Sequence, residues 1–132
     1  MAAPAGRASN LRDELTFPSF EDCPDERLLD RRYLQPVGGN SPMAAPVRHW
    51  CFLGEIVSVD AFLRLVLEVK DTEGERCRVA LYTDDKGMSL VPTCKKGYTV
   101  AILYANQHGF ADGSYGFRVE ESTSIKVCHR PS

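Results

Sequence analysis

Three histidines, His49, His108 and His129, and five cysteines, Cys23, Cys51, Cys77, Cys94 and Cys128, are the side chains best suited to acid–base, nucleophilic or metal chemistry. No Ser, Cys or Lys stands in a recognisable spacing with both a His and a carboxylate, as nucleophilic catalysis requires. His108 lies four residues before Asp112, across a turn. That pair is a candidate acid–base couple, although an Asp so placed more commonly stabilises its own turn by a hydrogen bond. His49-x-Cys51 opens the first strand and Cys128-His129 closes the last. Brought together, they would offer zinc two thiolates and two imidazoles. Adjacent residues of a strand point to opposite faces, however, so Cys128 and His129 cannot both ligate without a bend. There is no CxxC pair, and Gly109, Gly113 and Gly116 fall in a hairpin rather than between a strand and a helix. Neither a zinc knuckle nor a phosphate-cradling loop is written here. The expectation is a protein that is not an enzyme and has no metal or other cofactor.

Recognition chemistry is better represented. Tyr82, Tyr98, Tyr104, Phe110, Tyr115 and Phe117 are rings on which bases could stack, and Arg64, Arg76, Arg78 and Arg118 could carry the accompanying charge. Acids are interleaved with them, at Glu68, Glu73, Glu75, Glu120 and Glu121. Nucleic-acid binding therefore depends on whether those arginines share one face with exposed rings. The candidate binding residues are Tyr82, His108, Phe110, Asp112, Tyr115 and Arg118. Most lie in the His108–Arg118 hairpin, because loops on a rigid barrel are where binding usually sits. Lys95-Lys96-Gly97 reads as a solubilising turn.

The elements that must position these residues have period two from Val47 onward. Trp50, Phe52, Ile56 and Val59 mark a long first strand that Gly54 would kink or let another backbone approach. Leu65, Leu67 and Val69 mark a second strand, and Cys77, Val79 and Leu81 a third, with a turn at Thr72–Glu75. Residues 83–96 have no clean period and form a connection. Val100, Ile102 and Tyr104 mark a fourth strand. A turn at Ala111–Ser114 follows, then Phe117 and Val119, and Ile125 and Val127, as a last strand or strand pair. Three strands, a long connection and a closing hairpin match the order of a small five-stranded OB-like barrel, an all-β fold, with an SH3-like barrel as the rival. Residues 1–46 are rich in Pro, Ala and charge. They read as a flexible N-terminal arm contributing little apolar burial, with one short helix over Asp25–Leu34, and the barrel domain spans 47–132.

Composition narrows the function classes. At 132 residues the chain fits one domain, and its net charge is −2. Residues 1–46 carry five arginines against seven acids, and residues 47–132 carry eleven bases against eleven acids. Phosphate binding draws on a surplus of cations, so an evenly charged barrel weighs against nucleic acid. No apolar run approaches the ~18 residues of a membrane helix, and no signal-peptide pattern opens the chain. Membrane association is not expected, and unpaired cysteines suit an intracellular, reducing setting.

One stretch is distinctive as a string. Lys95–Val127, KKGYTVAILYANQHGFADGSYGFRVEESTSIKV, together with CFLGEIVSVDAFLRLVLEVKD (51–71) and VALYTDD (79–85), resembles the barrel-like region preceding the zinc finger in fungal MYND-type zinc-finger proteins. The resemblance covers roughly residues 50–127. It implies an adaptor role in protein interaction. It does not carry zinc binding over, since only Cys128-His129 follow the barrel and the finger's Cys/His cluster is missing. The expectation is a non-enzymatic binding module, MYND-associated, that takes a protein partner. The alternative is an OB-fold domain binding single-stranded nucleic acid.

Overall fold

The computed structural model describes residues 13–37 and 44–129. Among these residues nine strands form: β1 (Leu34–Pro36), β2 (Ala44–Pro46), β3 (Cys51–Asp60), β4 (Val66–Lys70), β5 (Arg76–Leu81), β6 (Thr99–Leu103), β7 (Gln107–Gly109), β8 (Tyr115–Val119) and β9 (Ile125–Cys128). β1 and β2 make a separate small antiparallel ribbon; the other seven form one sheet in the order β7-β8-β5-β4-β3-β6-β9.

That sheet closes through the chain itself. β6 and β7 are separated only by Tyr104–Asn106, so they are two halves of one broken strand. The first half pairs with β3 and the second with β8. Counting β6 and β7 together leaves six strands: β3, β4, β5, β6–β7 and β8 close a five-stranded barrel whose third and fifth strands, β5 and β8, run parallel, and β9 adds to the outer edge of β6. This is the OB arrangement rather than the antiparallel run of an SH3-like barrel. The break falls where Tyr104 adopts a left-handed backbone, φ 56°, a conformation that costs a residue bearing a Cβ. Trp50 holds it there, accepting the Tyr104 N–H on its carbonyl oxygen and packing ring on ring at 5.1 Å.

The first strand serves both flanks of the barrel. Residues 51–55 of β3 pair with β6, and residues 55–60 pair with β4, the latter with a bulge at Val57. The kink expected at Gly54 is therefore three residues downstream. Gly54 serves close packing instead: a Cβ there would lie 3.0 Å from both the Phe52 ring and Val69. Inward-facing Phe52, Ile56, Leu67, Val69, Val79, Val100, Ile102, Phe117 and Val119 form the core, in phase with the alternation in the sequence. The connection between β5 and β6 holds a 3-10 helix, Met88–Thr93, with Leu90 and Val91 against that core.

The arm departs from expectation. Residues 13–36 are packed rather than loose, and Phe20 and Cys23 belong to the barrel's core cluster. The Gln107 side-chain amide donates to the carbonyls of Phe20, Glu21 and Cys23 at 3.0–3.2 Å. Its backbone bonds Pro24 and Glu26, and buried Asp71 accepts the Phe20 N–H at 2.8 Å. Fully buried Tyr33 stacks against Trp50 at 4.7 Å. The short helix expected at Asp25–Leu34 does not form. Asp25 and Asp30 instead accept the N–H two residues on, from Arg27 and Arg32, and each binds that arginine's guanidinium as well. Such local bonds compete with helical ones. The rest of the arm, 1–12 and 38–43, lies outside the described residues.

Candidate nucleic-acid interface

The outward face of β4 and β5 is set by register. Val66 lies opposite Ala80 and Glu68 opposite Arg78; across the parallel pair, Ala80 lies opposite Arg118. A small apolar patch, Val66 and Ala80, is thus bordered by guanidinium groups. The face is flanked by two loops. Residues 61–65 join the first two barrel strands, and residues 110–114 join the last two. Strands two and three with these two loops are the surface that OB folds use for oligonucleotides and oligosaccharides.

Ring and charge are interlocked there. The Arg64 guanidinium lies 3.8 Å from the centroid of the Tyr82 ring and that of Arg118 lies 4.2 Å from it. Arg78 sits over Phe110 at 4.9 Å. Each cation–π contact is worth about 0.5–2 kcal/mol depending on desolvation. Arg64 also donates to the Leu81 carbonyl at 3.1 Å. Arg78 is paired with Asp112 at 3.0 Å and Arg118 with Glu120 at 2.8 Å. Ser114, through its hydroxyl and its N–H, and then Arg78 hold the Asp112 carboxyl well below the usual carboxylate range. Between these groups lies an open groove of about 400 Å³, its apolar lining drawn from Phe62, Leu63, Val66, Ala80 and Phe110. Phe62 is 86% exposed and Leu63 73%.

Of the residues singled out in the sequence, Tyr82, Phe110, Asp112 and Arg118 meet here, joined by Arg64 and Arg78. His108 stands behind them, its ring edge-on to Phe110 at 4.8 Å and its Nδ1 bound to the Glu26 carboxylate. It does not couple to Asp112. Tyr115 faces Arg27 of the arm, 5.5 Å away. Arg76 pairs loosely with Glu68 at 3.8 Å. Phe117 is in the core, Tyr98 packs on His129, and Tyr104 contacts His49, so these three rings do not belong to the face. Among the described residues no three His, Cys, Asp or Glu side chains are grouped so as to hold a metal ion. Phe62 and Leu63 went unnoticed in the sequence. Two large apolar residues in a loop opened by Asp60 are the signal that would have found them.

No family model matches the chain, and no curated protein matches it. Solved structures do. One is the S. pombe Stn1–Ten1 complex, 18% identical over 78% of this chain and 71% of that one, with a TM-score of 0.48. Another is Schizosaccharomyces pombe Pot1pC bound to single-stranded DNA, 11% identical over 74% of this chain and 88% of that one, with a TM-score of 0.49. The OB fold itself rests on the strand order and the parallel β5–β8 pair. The resemblance to MYND-type zinc-finger proteins, and the adaptor role drawn from it, is corrected: no family model, that one included, matches the chain. Among the described residues no helix is long and apolar enough to cross a membrane.

Proposed function

We propose that the chain is a non-enzymatic OB-fold domain that binds single-stranded nucleic acid across the β4–β5 face. One observation carries this. Arg64, Arg78 and Arg118 converge with the rings of Tyr82 and Phe110 beside an apolar groove. Guanidinium groups serve phosphates and stack on bases, and exposed rings stack bases of any sequence. The net balance of the barrel had argued against nucleic acid, and carboxylates share this face too, Asp112 and Glu120 pairing with Arg78 and Arg118; the support is that three guanidinium groups are gathered against rings, not a local excess of charge.

The roles divide by exposure. Phe62 is the open ring and the first stacking platform. Tyr82 already has two guanidinium groups against its ring, so it is a positioning residue that holds Arg64 and Arg118 in place. Arg78 and Arg118 exchange their carboxylate partners for phosphates on binding.

The test is fluorescence anisotropy of labelled single-stranded DNA and RNA at low and physiological salt. Micromolar or tighter binding that weakens with salt is expected. Phe62→Ala should weaken it on the order of tenfold, the typical worth of one stacked base, without changing Tm. Arg78→Ala should reduce the salt slope by roughly 0.7. Absence of binding at low salt overturns the proposal.

A further inference from the structure

Asp60 is out of place in a groove built for a polyanion. It ends β3 and lines the groove on the Phe62 side, the one carboxylate among the described lining residues. Its Oδ1 accepts the Phe62 N–H at 3.0 Å, which fixes the loop and leaves Phe62 projecting. Among the described residues nothing pairs with Oδ2. Two other carboxylates of the face are engaged, Asp112 with Arg78 and Ser114 and Glu120 with Arg118; Glu68, also on the face but outside the groove lining, pairs only loosely with Arg76 at 3.8 Å.

We propose that Asp60 makes this groove select a base carrying an exocyclic amine, so that cytosine is preferred over thymine or uracil. The inference rests on the nucleic-acid reading of the same face. A phosphate beside an unpaired carboxylate is repelled, whereas Arg78, which lines the groove, and Arg118, on the strand next to it, attract it. The backbone therefore runs along the arginines. The base is turned inward over Val66 and Ala80, stacks on Phe62, and points its edge at Asp60. A cytosine there presents its N4 amine, a donor that a carboxylate accepts; thymine and uracil present O4, a second acceptor that the carboxylate repels. Cytosine and thymine share the pyrimidine ring, and thymine's extra C5-methyl favours thymine in an apolar contact, so a preference for cytosine can come only from the polar edge.

The experiment compares oligo-dC and oligo-dT of about 12 nucleotides, a length within the site sizes of OB folds, by anisotropy at pH 7.5, on the wild-type chain and on Asp60→Asn. Asn retains the side-chain oxygen that accepts the Phe62 N–H, so the loop keeps its shape. Wild type should bind dC on the order of tenfold more tightly than dT, the usual worth of one good base-edge contact. Asp60→Asn removes a negative charge and should strengthen both, while the dC/dT ratio falls toward one. If Asp60 acts only through charge, both affinities rise and the ratio is unchanged, which overturns the proposal. Equal, measurable binding of dC and dT by wild type also overturns it and leaves the nucleic-acid reading standing. Binding of neither removes both.

Discussion

Replacing Phe20 by alanine tests whether the N-terminal segment is part of the barrel. A buried phenylalanine removes about 150–250 Å² from water, which at ~25 cal/mol per Å² corresponds to roughly 4–6 kcal/mol. An extended reference chain makes that an upper figure, and Phe→Ala changes in cores typically cost about 3–5 kcal/mol. Phe20 retains 7% exposure, so the cavity left behind lies near the surface and the lower end applies. Its edge-on contact with Phe117 at 5.3 Å is also lost, while the backbone bond to Asp71 is untouched. The expected loss is about 3 kcal/mol, a drop of roughly 1.5 M in the urea midpoint. Trp50, the only tryptophan, is buried between Tyr33 and Tyr104 and reports unfolding by fluorescence. Phe62→Ala is the matched control, the same chemistry on an exposed ring, and should cost under about 0.5 kcal/mol. A Phe20→Ala loss below about 1 kcal/mol would refute the docked segment.

Two further perturbations probe the frame. A Cβ on Gly116 would lie 2.2 Å from the Arg78 carbonyl oxygen, across the parallel pair that defines the barrel. Gly116→Ala should cost at least about 2 kcal/mol by overpacking, whereas Gly113→Ala, at φ +88° in open space, should cost about 1 kcal/mol through backbone strain alone; equal urea midpoints for the two would contradict this. The hydroxyls of Ser89 and Thr83 and the N–H groups of Ser89 and Gly87 lower the Asp85 carboxyl from 3.8 to about 2. A folded-state value below the unfolded one stabilises above the unfolded pKa and is lost as pH falls through the folded one. Wild type should therefore lose stability relative to Asp85→Asn between about pH 4 and pH 2, seen as converging urea midpoints; parallel curves would show that the carboxylate contributes nothing.

The barrel was legible because its strands alternate cleanly: Leu65, Leu67 and Val69, then Cys77, Val79 and Leu81, then Val100 and Ile102 are buried as their period requires. The binding face was half legible. Arg64, Arg78, Arg118, Tyr82 and Phe110 were all visible as types, but only the strand pairing and the ring–guanidinium contacts show that they meet, and no pattern in the sequence marks their convergence. Phe62 escaped because a loop residue has no period. The packed arm was not legible for a related reason. It is held by an aspartate carboxylate at residue 71 and by the amide of Gln107, partners far along the chain, and proline-rich irregular backbone gives no pattern to betray them. The short helix failed where Asp25 and Asp30 had local bonds to make, a competition that helical spacing alone does not register.

The Gln107 staple also sets the order in which the chain can mature. Its amide reaches a carbonyl 87 residues earlier. At roughly 5–20 residues per second, on the order of ten seconds separate the synthesis of Phe20 from that of the strand that receives it. Until β7 and β8 have paired, the Phe20 ring lacks Phe117 and the Asp25–Arg27 turn lacks Gln107, although the Phe20 N–H can already reach Asp71. Contacts of such long sequence separation form slowly. The first part of this domain to be made is thus among the last to find its place, and the nascent chain is most exposed to wrong partners through the segment that looked least structured.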